Sequence, residues 1–123
     1  MIENKLISIV MNCYNGEKYL NQSIDSIINQ DYQNWELVFF DNNSNDKSAQ
    51  IFKSYKDKRF FYYKSDRTTN ISIARNKAIN LCKGHFIAFL DVDDFWDEKK
   101  LSKQIKFFDD DIDFIFTNFC LIK

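Results

Sequence analysis

Five carboxylates follow a short apolar run in the second half of the sequence. The run is "HFIAFL" at residues 85–90, and the acids after it are Asp91, Asp93, Asp94, Asp97 and Glu98. Carboxylates this close together repel one another, so some must be protonated, solvated or held by a cation. Asp91 and Asp93 are two positions apart, and in an extended chain they point the same way, about 6.6 Å apart at ~3.3 Å per residue. A divalent ion and its ligand fit between them.

Oxygen ligands in this pattern favour Mg²⁺ or Mn²⁺ over zinc. Mg²⁺ in particular keeps several waters and takes one or two carboxylates together with substrate phosphates. Asp91 and Asp93 therefore predict a site for a metal-bound diphosphate. The D-x-D spacing alone arises by chance in many chains, and its position after a buried strand is what favours a site. We interpret Asp94 and Asp97 as loop and helix-cap residues.

Several other chemistries fit the acidic segment less well. An EF-hand loop starting at Asp91 needs glycine at its sixth position and an acid at its twelfth, where Trp96 and Ser102 stand. A phosphate-receiver domain needs acids after the first strand, and "MNCYN" supplies none. With only two glycines, neither a dinucleotide fingerprint nor a P-loop can form. A phosphohydrolase with Asp91 as nucleophile and Asp93 as acid stays open, although its motif is expected on the first strand.

Length and composition limit the kind of protein. The chain has 123 residues, 45% of them hydrophobic, which predicts a single domain over residues 1–123. The 17 basic and 18 acidic residues give a net charge of -1 and no basic face, which argues against nucleic acid as a partner. There is no run of about 18 apolar residues and no signal-peptide pattern, so we expect a cytoplasmic protein without a transmembrane segment in this span. The three cysteines and the single histidine lack the spacing of a zinc site.

Short apolar runs alternate with segments of helical period along the chain. The predicted strands cover residues 6–11, 35–40, 59–64, 85–90 and 113–119. The predicted helices cover residues 18–30, 47–55, about 72–82 and 97–108. Strands and helices that alternate in this way imply right-handed crossovers and a parallel sheet covered on both faces. The sequence thus predicts a doubly wound, mostly parallel α/β fold.

Single residues near the helix ends carry further predictions. Ser44 or Asp46 is placed to cap the second helix, and Asp97 is placed to cap the fourth. Ile71 is expected to face inward from the third helix, and Gly84 is expected to end that helix.

Polar residues collect after each of the first four predicted strands. In open α/β sheets, ligands bind outside the carboxyl ends of the strands. The residues at those ends are Asn12, Tyr14 and Asn15, then Asp41, Asn42 and Asn43, then Asp66 and Arg67, and finally the acids from Asp91 onward. Each group alone is typical of a turn. Their coincidence at one edge of the sheet favours a binding site.

These motifs, taken in order, resemble those of the inverting family 2 glycosyltransferases, which are nucleotide-sugar enzymes of the GT-A fold. The resemblance runs from "ISIVMNCYNGEKYLNQSIDSIINQDYQNWELVFFDNNSND" to "ARNKAINLCKGHFIAFLDVDDFW" and covers essentially the whole chain. It implies that the chain forms the Rossmann-like, nucleotide-sugar-binding half of a GT-A domain. The acceptor-side half is expected to lie beyond this span.

The resemblance implies roles in binding the nucleotide base for residues after the first two strands. Asn12 would lie near the base, and Tyr14 would stack on it. The acidic pair that reads the base in the family is here "DN", Asp41 and then Asn42. Because Asn42 can accept through its carbonyl and donate through its amide, this departure leaves the identity of the base open.

The resemblance also implies roles around the diphosphate. Arg75, in "ARN", would lie near the diphosphate, Asp91 would contact the ribose side, and Asp93 would hold Mg²⁺ or Mn²⁺, with Asp91 beside it. In the family the catalytic base belongs to the acceptor-side half, so we expect it beyond Lys123.

The implied activity is transfer of a sugar from a nucleoside-diphosphate sugar, with a UDP-sugar favoured, to an acceptor hydroxyl with inversion. The acceptor would be a glycan or a lipid-linked glycan in the synthesis of bacterial surface polysaccharide or lipopolysaccharide. The complete enzyme would work in the cytoplasm or at the inner face of the membrane, and this span alone would transfer sugar poorly or not at all. A non-catalytic nucleotide-binding module of the same fold is the alternative, and the phosphohydrolase is a more distant one.

Overall fold

A computed structural model describes residues 4–118, 120 and 121 of the chain. Within these residues strands and helices alternate, in the order β1, α1, β2, α2, β3, α3, β4, α4. The strands are β1 (Ile7–Cys13), β2 (Trp35–Asp41), β3 (Phe60–Lys64) and β4 (Phe86–Phe89). The helices are α1 (Leu20–Ile28), α2 (Ser48–Ser54), α3 (Ile71–Asn80) and α4 (Lys100–Ile105). None of the helices in these residues combines the length and the apolar character needed to cross a membrane.

The four strands form one parallel sheet in the order β3-β2-β1-β4. The central pair runs in register from Ile7 beside Trp35 to Cys13 beside Asp41. Every residue of β2 is buried, including Glu36 and Asp41, which explains why the strand is mostly apolar, since a parallel sheet is covered on both faces. The predicted doubly wound α/β fold is confirmed.

Helices cover the two faces of the sheet unequally. Successive strand residues point to opposite faces, and odd-numbered residues of β1 and β2 pack in a large cluster with α1, α2 and α4. The even-numbered Val10, Val38 and Phe40 pack against α3 through Ala74 and Ala78. The two alanines let α3 lie close to the sheet, because neither side chain extends beyond Cβ.

The predicted fifth strand does not form over the residues that can be judged. Residues 113–118 have no strand pairing, and Phe114 and Phe116 are 77% and 82% exposed. Phe119, the last residue of that prediction, lies outside the described residues. Apolar alternation indicates which side chains a strand would bury, but a strand also requires a neighbouring backbone to bond with.

Two predictions about α3 were also wrong. Ile71 is 53% exposed at the first position of the helix instead of facing inward. Gly84 does not end the helix, which stops at Asn80. Glycine is needed there for a close approach, since a Cβ at residue 84 would lie 2.5 Å from the backbone nitrogen of Ser8.

The residues predicted to cap α2 and α4 are not the N-caps, which are Lys47 and Lys99, and neither lysine caps its helix through its side chain. Asp46 Oδ1 accepts a hydrogen bond from the Ser48 N–H at 2.9 Å, at the start of α2, whereas the Ser44 hydroxyl accepts the N–H of Asn15. Asp97 Oδ1 accepts the N–H of Lys99 at 2.9 Å, one position before α4.

Candidate functional site

The strand order places the candidate site beside β1. The chain runs outward from β1 to β2 and β3 and then crosses to β4 on the other side of β1. As a result, α1 and α3 lie on opposite faces of the sheet. In α/β sheets the crevice at such a change of direction, outside the carboxyl ends of the strands, is where ligands bind.

A crevice of about 520 Å³ lies at this place, a volume within the range of small-molecule sites. The predicted residues that line it are Asn12, Tyr14, Asn15, Arg75, Asp91 and Asp93. Residues from three separate parts of the sequence, the end of β1 with the loop after it, helix α3 and the loop after β4, therefore meet at one cavity.

Five further residues line the crevice and were missed by sequence reasoning: Gly16, Lys18, Tyr19, Ile71 and Val92. The helical period assigns Lys18 and Tyr19 to the first predicted helix, which begins only at Leu20. The exposure of Ile71 follows from this position, because the start of α3 faces the cavity. No pattern in the sequence separates these residues from ordinary surface positions.

The acidic segment forms a turn. The Asp94 N–H donates to the Asp91 carbonyl at 3.0 Å, so the extended arrangement predicted for Asp91 and Asp93 is wrong. The turn brings in the carboxylate of Asp94 as well, and one oxygen from each of the three residues lies within 4.8 Å of the others. Asp94 therefore belongs to the cluster and is more than a loop residue.

The donor set of this cluster fits a hard divalent cation. All of its groups are carboxylate oxygens, which suit Mg²⁺ or Mn²⁺. Burial, together with the negative charges of Asp93 and Asp91, raises the pKa of Asp94 above its usual value. A cation among the three carboxylates would relieve the repulsion between them.

Arg75 brings a positive charge to the same cavity. Its Nη2 lies 3.3 Å from Asp91 Oδ1, and both side chains are about half exposed. An exposed pair of this kind contributes little to stability, so the guanidinium is available to an anionic ligand.

Asn12 presents a polar group without a partner within the protein. Among the side chains of the described residues, Asn12 Nδ2 and Trp35 Nε1 are the buried polar atoms with no hydrogen bond. A buried donor without an acceptor costs about 1–3 kcal/mol, and Asn12 lines the crevice. Tyr14, 54% exposed, offers an aromatic ring beside it.

Asp41 and Asn42 lie at the same edge of the sheet, but their side chains are engaged within the protein. Asp41 is fully buried, and its two oxygens accept the Ser44 N–H at 2.8 Å and the Tyr62 hydroxyl at 2.5 Å. Burial, and then this bond to Asp41, raises the pKa of Tyr62.

Asn42 binds a single neighbour from both ends of its amide. Its Nδ2 donates to the Thr69 carbonyl at 2.6 Å, and its Oδ1 accepts the Thr69 N–H at 2.9 Å. Asn42 thus holds the loop that leads from β3 to α3.

A second close approach shapes the loop after β1. A Cβ at Gly16 would lie 2.8 Å from Val92 Cγ2 and 3.2 Å from the sulfur of Cys13. The absence of a side chain at Gly16 allows the acidic turn to lie against the loop after β1, so that one wall of the crevice can form.

Sequence comparison identifies relatives of the chain. The model of a family described as "Glycosyl transferase family 2" matches residues 8–121. An uncharacterized glycosyltransferase of Methanocaldococcus jannaschii is 41% identical over 122 residues, which cover 94% of this chain and 42% of that protein. The UDP-Glc:alpha-D-GlcNAc-diphosphoundecaprenol beta-1,3-glucosyltransferase WfgD of Escherichia coli is 35% identical over 122 residues, covering 98% of this chain and 48% of that protein.

Comparison with solved structures gives a result consistent with the sequence relatives. S. aureus TarS, in a crystal structure with UDP-GlcNAc, matches with a TM-score of 0.76 and 27% identity, over 82% of this chain and 30% of that one. The GT-A fold expected from the resemblance is confirmed. The chain spans less than half the length of each of these three proteins.

Proposed function

Because the chain belongs to glycosyl transferase family 2, we propose that it is the donor-binding part of an enzyme that transfers a sugar from a nucleoside-diphosphate sugar to an acceptor hydroxyl. The observation that carries this proposal is the cluster of Asp91, Asp93 and Asp94 at a crevice beside β1. Carboxylates next to a cavity of this size suit a metal-bound diphosphate.

Different residues around the crevice would bind different parts of the donor. A divalent ion held by Asp93 and Asp91 would act as a Lewis acid toward the departing diphosphate. Arg75 supplies a second positive charge, which stabilises the negative charge that develops on the leaving group. Asn12 donates its free amide proton near the base, and Tyr14 provides a surface on which the base stacks.

Asp41 and Asn42 act on the base through the loops that they hold. Asp41 fixes the turn after β2, and Asn42 fixes the backbone of Thr69. In this proposal the base is contacted mainly by polar groups of the turn after β2 and of the loop that contains Thr69. The side chains of Asp41 and Asn42 hold these two segments in place.

The second substrate is an acceptor hydroxyl that attacks the sugar from the face opposite the diphosphate, so that the configuration is inverted. This step requires a carboxylate base, which we assign to the acceptor-side half of the fold. A UDP-sugar is the favoured donor, since WfgD is named for UDP-Glc and TarS was solved with UDP-GlcNAc. A lipid-linked glycan is the favoured acceptor, since the name of WfgD specifies one; such synthesis of surface polysaccharide would take place at the inner face of the membrane.

Calorimetric titration of UDP, GDP and dTDP, with and without Mn²⁺, tests the donor site. We expect UDP to bind most tightly and only weakly without the metal, and we expect Asp93→Ala to abolish the effect of Mn²⁺. Asp110→Ala is a matched control, because Asp110 is an exposed acid in a turn after α4. Nucleotide binding that is independent of Mn²⁺ and unchanged in Asp93→Ala would exclude this crevice as a metal-dependent donor site.

A non-catalytic nucleotide-binding module of the same fold is the second candidate, because every residue assigned a role at the crevice acts in binding the donor. Assay of the chain joined to the acceptor-side half of a relative separates the two possibilities. Metal-dependent binding without sugar transfer in that chimera would favour the module, and release of phosphate from simple esters would favour the phosphohydrolase.

A further inference from the structure

The acidic turn is attached to α1 and to the residues just after it by two buried polar side chains. Ser23 and Gln30 lie seven positions apart on the α1 side of the protein and are 0% and 1% exposed. Each donates to backbone carbonyls in the segment 92–97, about 70 residues further along the chain. Buried polar side chains normally have hydrogen-bond partners, and here both side chains find partners in the same loop.

Ser23 binds the backbone on both sides of Asp93. Its hydroxyl donates to the Val92 carbonyl at 2.7 Å and to the Asp94 carbonyl. A hydroxyl has a single proton, so the two carbonyls share it and are drawn toward one point. Asp93 lies between them in the sequence and so has its backbone held from either side.

Gln30 binds the far end of the same segment. Its Nε2 donates to the Asp97 carbonyl at 2.7 Å, and its Oε1 accepts the N–H of Leu101 at 3.1 Å. The Asp31 N–H also donates to the Glu98 carbonyl at 2.9 Å. The segment just after α1 is thus joined both to the end of the acidic segment and to the beginning of α4.

These hydrogen bonds act against the repulsion between the carboxylates of the turn. Three carboxylates whose oxygens lie within 4.8 Å of one another repel, and a free loop would open to separate them. Ser23 and Gln30 hold the loop closed through its backbone carbonyls. The geometry needed by a cation therefore exists before the cation arrives.

We propose that Ser23 and Gln30 are positioning residues for the divalent-cation site, with Ser23 setting the position of Asp93. This inference rests on the proposed function, since it assumes that the carboxylates bind a metal. Groups that orient metal ligands from behind typically change metal affinity by about 10- to 100-fold when they are removed.

The test measures binding of Mn²⁺ alone, followed by the electron paramagnetic resonance signal of the free ion, in wild type, Ser23→Ala and Gln30→Met. Ser26→Ala is the matched control, because Ser26 is one turn along α1 and its hydroxyl donates only to the Ser23 carbonyl within the helix. We expect Ser23→Ala to weaken Mn²⁺ binding by about 10-fold or more, Gln30→Met to weaken it by less, and Ser26→Ala to leave it unchanged.

Thermal unfolding of each metal-free variant separates positioning from folding. A purely structural role would lower the melting temperature while the folded protein kept its affinity for Mn²⁺. Wild-type affinity in folded Ser23→Ala and folded Gln30→Met, with binding abolished by Asp93→Ala, would overturn the inference and leave the proposed function standing. Failure of the wild type to bind Mn²⁺ would overturn both.

Backbone amide exchange without metal gives a second readout. The Asp94 N–H, bonded to the Asp91 carbonyl, is expected to exchange faster in Ser23→Ala than in Ser26→Ala. Equal exchange rates would show that Ser23 does not hold the turn, which also contradicts the inference.

Discussion

Asn42 illustrates how a polar residue at the edge of the sheet can act indirectly. The family resemblance implied that its side chain reads the nucleotide base. In the structure both ends of its amide bind the backbone of Thr69. An amide suits this position because one end must donate and the other must accept.

Asn42→Asp is expected to destabilise the protein at neutral pH. A carboxylate oxygen would replace the Nδ2 that now lies 2.6 Å from the Thr69 carbonyl, and two acceptors would then face each other. We expect a loss of about 1–3 kcal/mol in the free energy of unfolding, measured in urea at about pH 7. The loss should shrink as the pH falls toward about 4, because protonation of the new carboxyl restores a donor.

Asn45→Asp is the control for that change. It introduces the same charge in the same loop, but its side chain is exposed. Equal stability of Asn42→Asp and Asn45→Asp at neutral pH would contradict the role assigned to Asn42.

At the level of elements, α3 depends on two small residues. Ala74 and Ala78 are fully buried against Val10, Val38 and Phe40. The first turn of the same helix brings Ile71 to the crevice, and the next turn brings Arg75. The packing of α3 on the sheet therefore also sets the position of Arg75.

Ala78→Leu is expected to push α3 away from the sheet. Extra methyl groups in a packed core cost about 1–3 kcal/mol, and we expect a corresponding loss in urea unfolding. Lys77→Leu, at an exposed neighbouring position, should change stability by less than about 0.5 kcal/mol. If Ala78→Leu were as stable as the wild type, the close packing of α3 against the sheet at this position would be contradicted.

The elements also show where sequence patterns are sufficient. Strands β1 and β2 were predicted to within two residues, since a buried parallel strand has a continuous apolar run that few other elements share. The fifth strand failed because "DFIFTNF" has the alternation of a strand but, over residues 113–118, no partner in the sheet. Gly84 was assigned to a helix end because its sequence position fits one, while its close approach to Ser8 is a tertiary contact.

For the whole molecule, the nearly balanced charge means that net repulsion is small at neutral pH. Sensitivity to acid should therefore come from particular carboxylates. The hydrogen bond from Arg59 lowers the pKa of Asp57. Burial alone would raise the pKa of Asp46, but hydrogen bonds from Ser48 and from the Glu17 N–H outweigh it and leave that pKa lowered.

These two shifts predict a loss of stability in acid. A carboxyl whose pKa is lower in the folded state stabilises the fold above its unfolded pKa, near 3.9. That stabilisation is lost as the pH falls through the folded pKa. We expect Asp57→Asn to reduce the difference in urea-unfolding free energy between about pH 6 and about pH 3. An unchanged difference would rule out a contribution from Asp57.

The sequence by itself determined the fold class, the edge of the sheet that carries the polar residues, and six residues that line the crevice. The fold class and the sheet edge follow from local patterns, because the period of apolar residues sets each element and the alternation of elements sets the sheet. Arg75 was implied only by the family resemblance. Tertiary structure alone decided that Asp94 joins Asp91 and Asp93, that Asp41 and Asn42 turn inward to bind loops, and that Ser23 and Gln30 bind the backbone of the acidic segment. The reason is physical: each of these arrangements depends on hydrogen bonds, or on the shape of a turn, between chain segments whose distance in space no local pattern records.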